Sequence, residues 1–184
     1  MSQNAALRLA INGYGRIGRC FLRALRESPI QHNLQVVAIN EPANLESMTY
    51  LTRFDSTHGR FPGQVEIGDA ALVIDGQTIA VTHAKKPEAV DWRGLDIDLL
   101  IEASGCYGRR EELAKFINSG CPRLLLSHPG ASSDDVDATI VAGINQNSLT
   151  GHERLVSAAS CTTNAIVPVL DLLDQWLADG DGHE

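Results

Sequence analysis

Three features of this sequence combine residue type and spacing in a way that can do chemistry. The first is Gly13-Tyr14-Gly15-Arg16-Ile17-Gly18, a G-x-G-x-x-G loop between the apolar run LRLAIN (Leu7 to Asn12) and an amphipathic stretch. Gly13 permits a tight strand-to-helix turn, Gly15 has no side chain to block a pyrophosphate, and Gly18 lets the helix lie close to the sheet. The unpaired N–H groups of that helix start, near Arg16 and Ile17, point at phosphates with the helix dipole behind them. The second is Glu41, which follows the next apolar run, QVVAIN, 23 positions after Gly18. A carboxylate there accepts hydrogen bonds from the adenosine ribose hydroxyls and repels a 2′-phosphate, which favours NAD over NADP. The bare pattern also fits a glycine-rich turn with an ordinary surface glutamate, and the strand-loop-helix setting is what favours the dinucleotide.

The third feature is Ser160-Cys161-Thr162-Thr163-Asn164, between the run RLVSAAS and a final helical stretch. Ser160 is a good N-cap, which places Cys161 in the first helical turn. The dipole and free N–H groups there favour a thiolate, so a lowered thiol pKa is expected. A thiolate attacks aldehydes, and the N–H groups with the Thr162 and Thr163 hydroxyls can hold an oxyanion or a phosphate. A small buried hydrophobe at a helix start is the commoner fate of a free cysteine, and the residue types alone leave both readings open. Cys20, Cys106 and Cys121 lack such a setting and read as core packing. No C-x-x-C pair is present, so reduced thiols in a cytoplasmic protein are expected. The histidines show no metal-ligand spacing, and no metal site is expected.

The elements that must position these residues alternate along the chain. Strand-like runs fall at 7–12, 35–40, 97–103, 123–127, 138–144 and 154–160. Helical spacing joins Ile17, Phe21, Leu22 and Leu25 before Pro29, then Leu45, Met48, Leu51 and Phe54. REELAKFINSG closes as a helix at Gly120, and Ile166, Leu170, Leu173 and Leu177 form a stripe on the last helix. Residues 64–83 differ: alternating β-branched residues with turns at Gly68-Asp69 and Asp75-Gly76 predict small antiparallel hairpins between parallel units. The expected fold is α/β, a Rossmann-like, doubly wound, mostly parallel sheet with a small antiparallel hairpin insertion.

Composition limits the function classes. The chain has 184 residues, a net charge of −8 and 43% hydrophobic residues. It is long enough for one sizeable core and short for two full domains. The acidic balance disfavours nucleic acid and membrane surfaces. No apolar run reaches the ~18 residues of a membrane span, and the N-terminal residues do not read as a signal peptide.

Together, AINGYGRIGR, VVAINEP, FDSTHGRF, LLLSHPG and above all ASCTTN resemble the phosphorylating glyceraldehyde-3-phosphate dehydrogenase superfamily, from Leu7 to about Leu173. Within it, Glu41 in place of the glycolytic enzymes' aspartate, with SHPG, GCYGRREE and VAGINQNSL, is most similar to the bacterial erythrose-4-phosphate dehydrogenases. The resemblance implies that Cys161 attacks the aldehyde of a phosphorylated sugar. The thiohemiacetal is then oxidised by hydride transfer to NAD, and water hydrolyses the thioester to 4-phosphoerythronate, a precursor for pyridoxal phosphate synthesis. Glycolytic-type members use inorganic phosphate for the last step.

Carried over by motif, Arg16 and Ile17 contact the pyrophosphate and Glu41 the ribose, with Gly13, Gly15 and Gly18 forming the cofactor-binding loop. Lys85 falls near the adenine, where the family usually has an arginine with a planar guanidinium. Ser127 falls near the nicotinamide, and Ser160 and Thr162 flank the substrate beside Cys161. The resemblance also implies a homotetrameric full-length form and a catalytic domain beyond Glu184 that supplies the general base. On that reading residues 1–160 form the NAD-binding domain, and 161–184 the nucleophile helix and start of a truncated catalytic domain. His183, in a polar tail, is not expected to be the base. The chain would then be an N-terminal fragment that binds NAD weakly or not at all and has negligible turnover. A glycolytic-type enzyme and a non-catalytic nucleotide-binding module are the alternatives.

Overall fold

The computed structural model describes residues 6–29 and 33–180, so the tail from 181 onward, His183 included, lies outside the described residues. The first half lays down β1 (Leu7–Asn12), α1 (Arg16–Glu27), β2 (Leu34–Asn40) and α2 (Leu45–Arg53), followed by the two-residue strands β3 (Phe54–Asp55) and β4 (Gly59–Arg60). Three further strands follow, β5 (Val65–Gly68), β6 (Ala71–Ile74) and β7 (Gln77–Thr82). The second half adds β8 (Leu99–Glu102), α3 (Arg110–Asn118), β9 (Leu124–Leu126), β10 (Ala138–Thr139), β11 (Leu155–Ser157) and α4 (Cys161–Gly180).

Nine strands form one sheet in the order β10-β11-β9-β8-β1-β2-β7-β6-β5, and β3 with β4 makes a separate hairpin. The strands from β10 to β7 pair in parallel, whereas β5, β6 and β7 pair antiparallel. The predicted hairpins at 64–83 therefore extend one edge of a parallel sheet, with the first turn at Asp69-Ala70 rather than Gly68-Asp69, because Gly68 still pairs with Ala71 at the end of β5. Their turns place Ala70, Asp75 and Gly76 at positive φ. Chain order reverses between β1 and β8, which opens a crevice at the carboxyl ends of these two strands.

Both faces of the sheet are covered, and single strands show it. Leu9 and Ile11 belong to one core with Tyr14, Leu22, Met48 and Ile101. Ala10, between them, belongs to the other core, with Trp92, Leu100, Leu113 and Phe116. Alternation at period two on central strands buried on both sides yields the continuous apolar runs seen in the sequence.

Several elements depart from expectation. The run 138–144 pairs only over Ala138–Thr139, and 154–160 only over Leu155–Ser157. On α2 the buried positions are Met48, Thr49 and Thr52, while Leu51 and Phe54 are exposed. Thr49 and Thr52 are tolerated inside because their hydroxyls donate to the carbonyls of Leu45 and Met48, each at 2.7 Å. Ile17 is 52% exposed, because it stands on the outer side of the first turn of α1. The stripe of α4 is not packed on the core: Ile166, Leu170, Leu173 and Leu177 are exposed, and Trp176 beside them is 71% exposed.

Candidate functional site

A cleft of about 300 Å³ opens at the topological switch point, lined by Gly13, Gly15, Glu41, Lys85, Ser104 and Cys106 among others. Parallel pairing explains the convergence: residues that follow different strands leave the sheet at one edge. The glycine loop follows β1, Glu41 follows β2, Lys85 follows β7 and Ser104 follows β8.

The loop's glycines have separate physical reasons. Gly13 has φ +86°, and a Cβ there would overlap the backbone of Ser104. Gly18 lies on the carbonyl of Gly13, so α1 packs directly on the turn that precedes it. A Cβ on Gly15 would meet nothing within 4 Å, because this residue faces the open cleft. The N-terminus of α1 carries no side-chain cap at Gly15, and by helix geometry its first N–H groups have no intrahelical partner. Tyr14 anchors the loop from below: its ring is buried, and its hydroxyl lies 3.0 Å from Thr52 Oγ1. The Thr52 proton is committed to Met48, so Tyr14 is the donor. Burial pushes the Tyr14 phenol up to about 12.

Glu41 turns back onto this loop. Its carboxylate accepts from Tyr14 N–H at 2.7 Å and from Ala43 N–H at 3.1 Å. Each carboxylate oxygen keeps a free lone pair, so the residue can still accept from a ribose. Open space at Gly15, an uncapped helix start and an oriented carboxylate at the end of β2 together fit a dinucleotide.

The other expected site residues lie on the same carboxyl edge but do not line this cleft. The Arg16 side chain is directed to Asp55 Oδ2 (3.5 Å) and Ser56 Oγ (3.3 Å). Ser127 follows β9 and is half-buried, and its N–H donates to the carbonyl of Glu102 at 2.9 Å. Ser160 caps α4 as expected, accepting from Thr163 N–H at 3.0 Å, with Thr162 Oγ1 3.0 Å from its hydroxyl. Cys161 occupies the first turn of α4 and is exposed, so its sulfur is not sealed in the core. Cys121 is the buried thiol, and burial pushes it up to about 12. Cys106, expected in the core, is instead exposed on the wall of the cleft.

Motif reading misses a set of polar residues beneath the cleft. Asn12, Asn40 and Glu102 are buried at the ends of β1, β2 and β8. Burial pushes the Glu102 carboxyl above its ordinary range, opposed by hydrogen bonds from Ser104 and Asn12. The available signal was that both apolar runs, LRLAIN and QVVAIN, end in asparagine. Among the described residues no cluster of His, Cys, Asp or Glu is arranged to hold a metal, and no helix is long and apolar enough to cross a membrane.

Comparison with protein families agrees with this geometry. The family described as "Glyceraldehyde 3-phosphate dehydrogenase, NAD binding domain" matches residues 7–110, which run from β1 to the start of α3. That span contains the glycine loop, Glu41, Lys85 and Ser104. It follows that this chain belongs to the glyceraldehyde 3-phosphate dehydrogenase family, as an NAD-binding oxidoreductase domain of α/β Rossmann type.

Proposed function

We propose that the protein oxidises the aldehyde of a phosphorylated sugar, erythrose 4-phosphate, with Cys161 as the nucleophile. The observation that carries this reading is the position of Cys161: exposed, in the first turn of α4, on the sheet edge that also bears the cofactor cleft. The Cys161 thiolate adds to the aldehyde carbon to form a thiohemiacetal. The helix N–H groups, with Ser160 and Thr162 beside them, stabilise the oxyanion that develops there. Bound NAD would supply the two-electron acceptor for the oxidation of that carbon. A thioester remains on Cys161, and attack by water releases 4-phosphoerythronate and restores the thiol.

In the same reading Gly13, Gly15 and Gly18 shape the cofactor loop, Arg16 and Ile17 contact the pyrophosphate, and Glu41 holds the adenosine ribose. Lys85 lies toward the adenine and Ser127 toward the nicotinamide. Residues 1–160 act as the NAD-binding domain, and 161–184 begin a second, catalytic unit. The exposed apolar stripe of α4 supports that boundary, since no described residue covers it.

Membership of the glyceraldehyde 3-phosphate dehydrogenase family favours a second reading, in which the substrate is glyceraldehyde 3-phosphate and inorganic phosphate takes the acyl group. Assay of the full-length protein with each aldehyde, with and without inorganic phosphate, separates the two. Phosphate-independent NADH formation with erythrose 4-phosphate is the expected result. Strict phosphate dependence with glyceraldehyde 3-phosphate would establish the second. Turnover undiminished in Cys161→Ser would remove Cys161 from both.

A further inference from the structure

A hydrogen-bonded chain with a fixed direction runs beneath the cleft, across the carboxyl ends of β7, β2, β1 and β8. Its direction is set by main chain. The Ala84 N–H donates to Asn40 Oδ1 at 2.9 Å, and the Ala84 carbonyl accepts from Asn40 Nδ2 at 3.0 Å. This assigns the Asn40 amide without ambiguity. Thr82 Oγ1 also donates to Asn40 Oδ1, at 2.8 Å. Asn40 Nδ2 then donates to Asn12 Oδ1 at 2.8 Å, which turns the Asn12 amide nitrogen toward Glu102 Oε2, 2.5 Å away.

From the other side, Ser104 N–H donates to Glu102 Oε1 at 2.8 Å, and the Ser104 hydroxyl donates to the same oxygen. Among the described residues every hydrogen-bond partner of the Glu102 side chain is thus a donor, and the residue is completely buried. Only a side chain with two acceptor oxygens satisfies that surrounding. Asn12, Asn40 and Ser104 line the cleft itself, and the Ser104 backbone is the surface against which Gly13 packs.

We propose that Glu102 is a positioning residue for NAD: as the all-acceptor end of this chain it fixes Asn12 and Ser104, and through Ser104 the glycine loop, in the arrangement that receives the dinucleotide. The inference rests on the assignment of this cleft to NAD. Glu102→Gln keeps the volume but turns an amide nitrogen toward a donor, either Asn12 Nδ2 or the N–H and hydroxyl of Ser104. A buried donor facing a donor leaves both unsatisfied. Adding Asn12→Asp reverses the link: a carboxylate at position 12 accepts both from Asn40 and from the new amide at 102, whose oxygen still accepts from Ser104.

The test is calorimetric titration of NAD into the full-length protein as parent and into its Glu102→Gln, Asn12→Asp and combined variants, with circular dichroism to report folding. Each single variant is expected to bind NAD about tenfold more weakly or worse. The combined variant is expected to return to within about threefold of the parent. Where Glu102→Gln fails to fold, the combined variant decides: a folded, NAD-binding double supports the inference, and an unfolded or non-binding one overturns it. Parent-like affinity in Glu102→Gln, or a double no tighter than the singles, overturns it alone. A parent without NAD affinity overturns the assignment of the cleft, and this inference with it.

Discussion

The Glu41 carboxylate accepts a hydrogen bond from the main-chain N–H of Tyr14 at 2.7 Å, joining the end of β2 to the middle of the glycine loop. The residue that faces the adenosine ribose in the proposed arrangement thereby also holds the loop that faces the pyrophosphate. Glu41→Ala loses both contacts and the negative charge. NAD binding is expected to weaken about tenfold, and discrimination against NADP to narrow, because nothing then repels a 2′-phosphate. Calorimetric titration with the two cofactors checks this, and an unchanged NAD to NADP ratio would contradict the ribose role.

Gly13 and Gly15 are two residues apart yet differ in what they tolerate. Gly13→Ala forces a Cβ into the Ser104 backbone at a left-handed φ, and is expected to lower stability by about 2 to 4 kcal/mol. Gly15→Ala meets open space at ordinary φ, so stability should stay within about 0.5 kcal/mol while NAD affinity falls. Thermal unfolding and NAD titration of both variants separate the fold requirement from the ligand requirement. Equal unfolding behaviour would refute the distinction.

Asp75 ties the β6–β7 turn to two other elements. It accepts from Gln64 N–H at 2.8 Å and from Arg26 Nε at 2.9 Å, and these contacts hold its carboxyl below the ordinary value of 3.8. A depressed folded pKa means stability that is fully present above the unfolded value and lost as pH falls through the folded one. Acid unfolding should therefore steepen below about pH 4. Asp75→Asn should be less stable than the parent at neutral pH and should flatten that part of the curve. Denaturant titrations at several pH values would show it.

The thiols should react in an order set by exposure. In the native protein iodoacetamide is expected to modify Cys161 and Cys106 and to spare Cys121, which is buried, with its thiol pushed up to about 12. Bound NAD should protect Cys106, which lies in the cleft wall. Peptide mass analysis after brief labelling measures both effects. Rapid native labelling of Cys121, or no protection of Cys106, would run against this placement.

By itself the sequence determined what is local. A glycine at positive φ, an N-capping serine before Cys161 and β-branched alternation at 64–83 are each dictated by a few neighbouring residues, and each takes its expected form. The parallel core strands were equally legible, because burial on both faces writes itself as unbroken apolar runs. Helix faces were not: Thr49 and Thr52 go inside and Leu51 outside, because back-bonding satisfies a hydroxyl that composition reads as polar. Only the tertiary structure set Asn12, Asn40, Glu102 and Ser104 in one oriented chain. Those residues are up to 92 positions apart in sequence, and hydrogen bonding between them needs the parallel register of β2, β1 and β8. It also decided that the stripe of α4 faces outward, since periodicity reveals that a helix has an apolar side but not which surface, if any, lies against it.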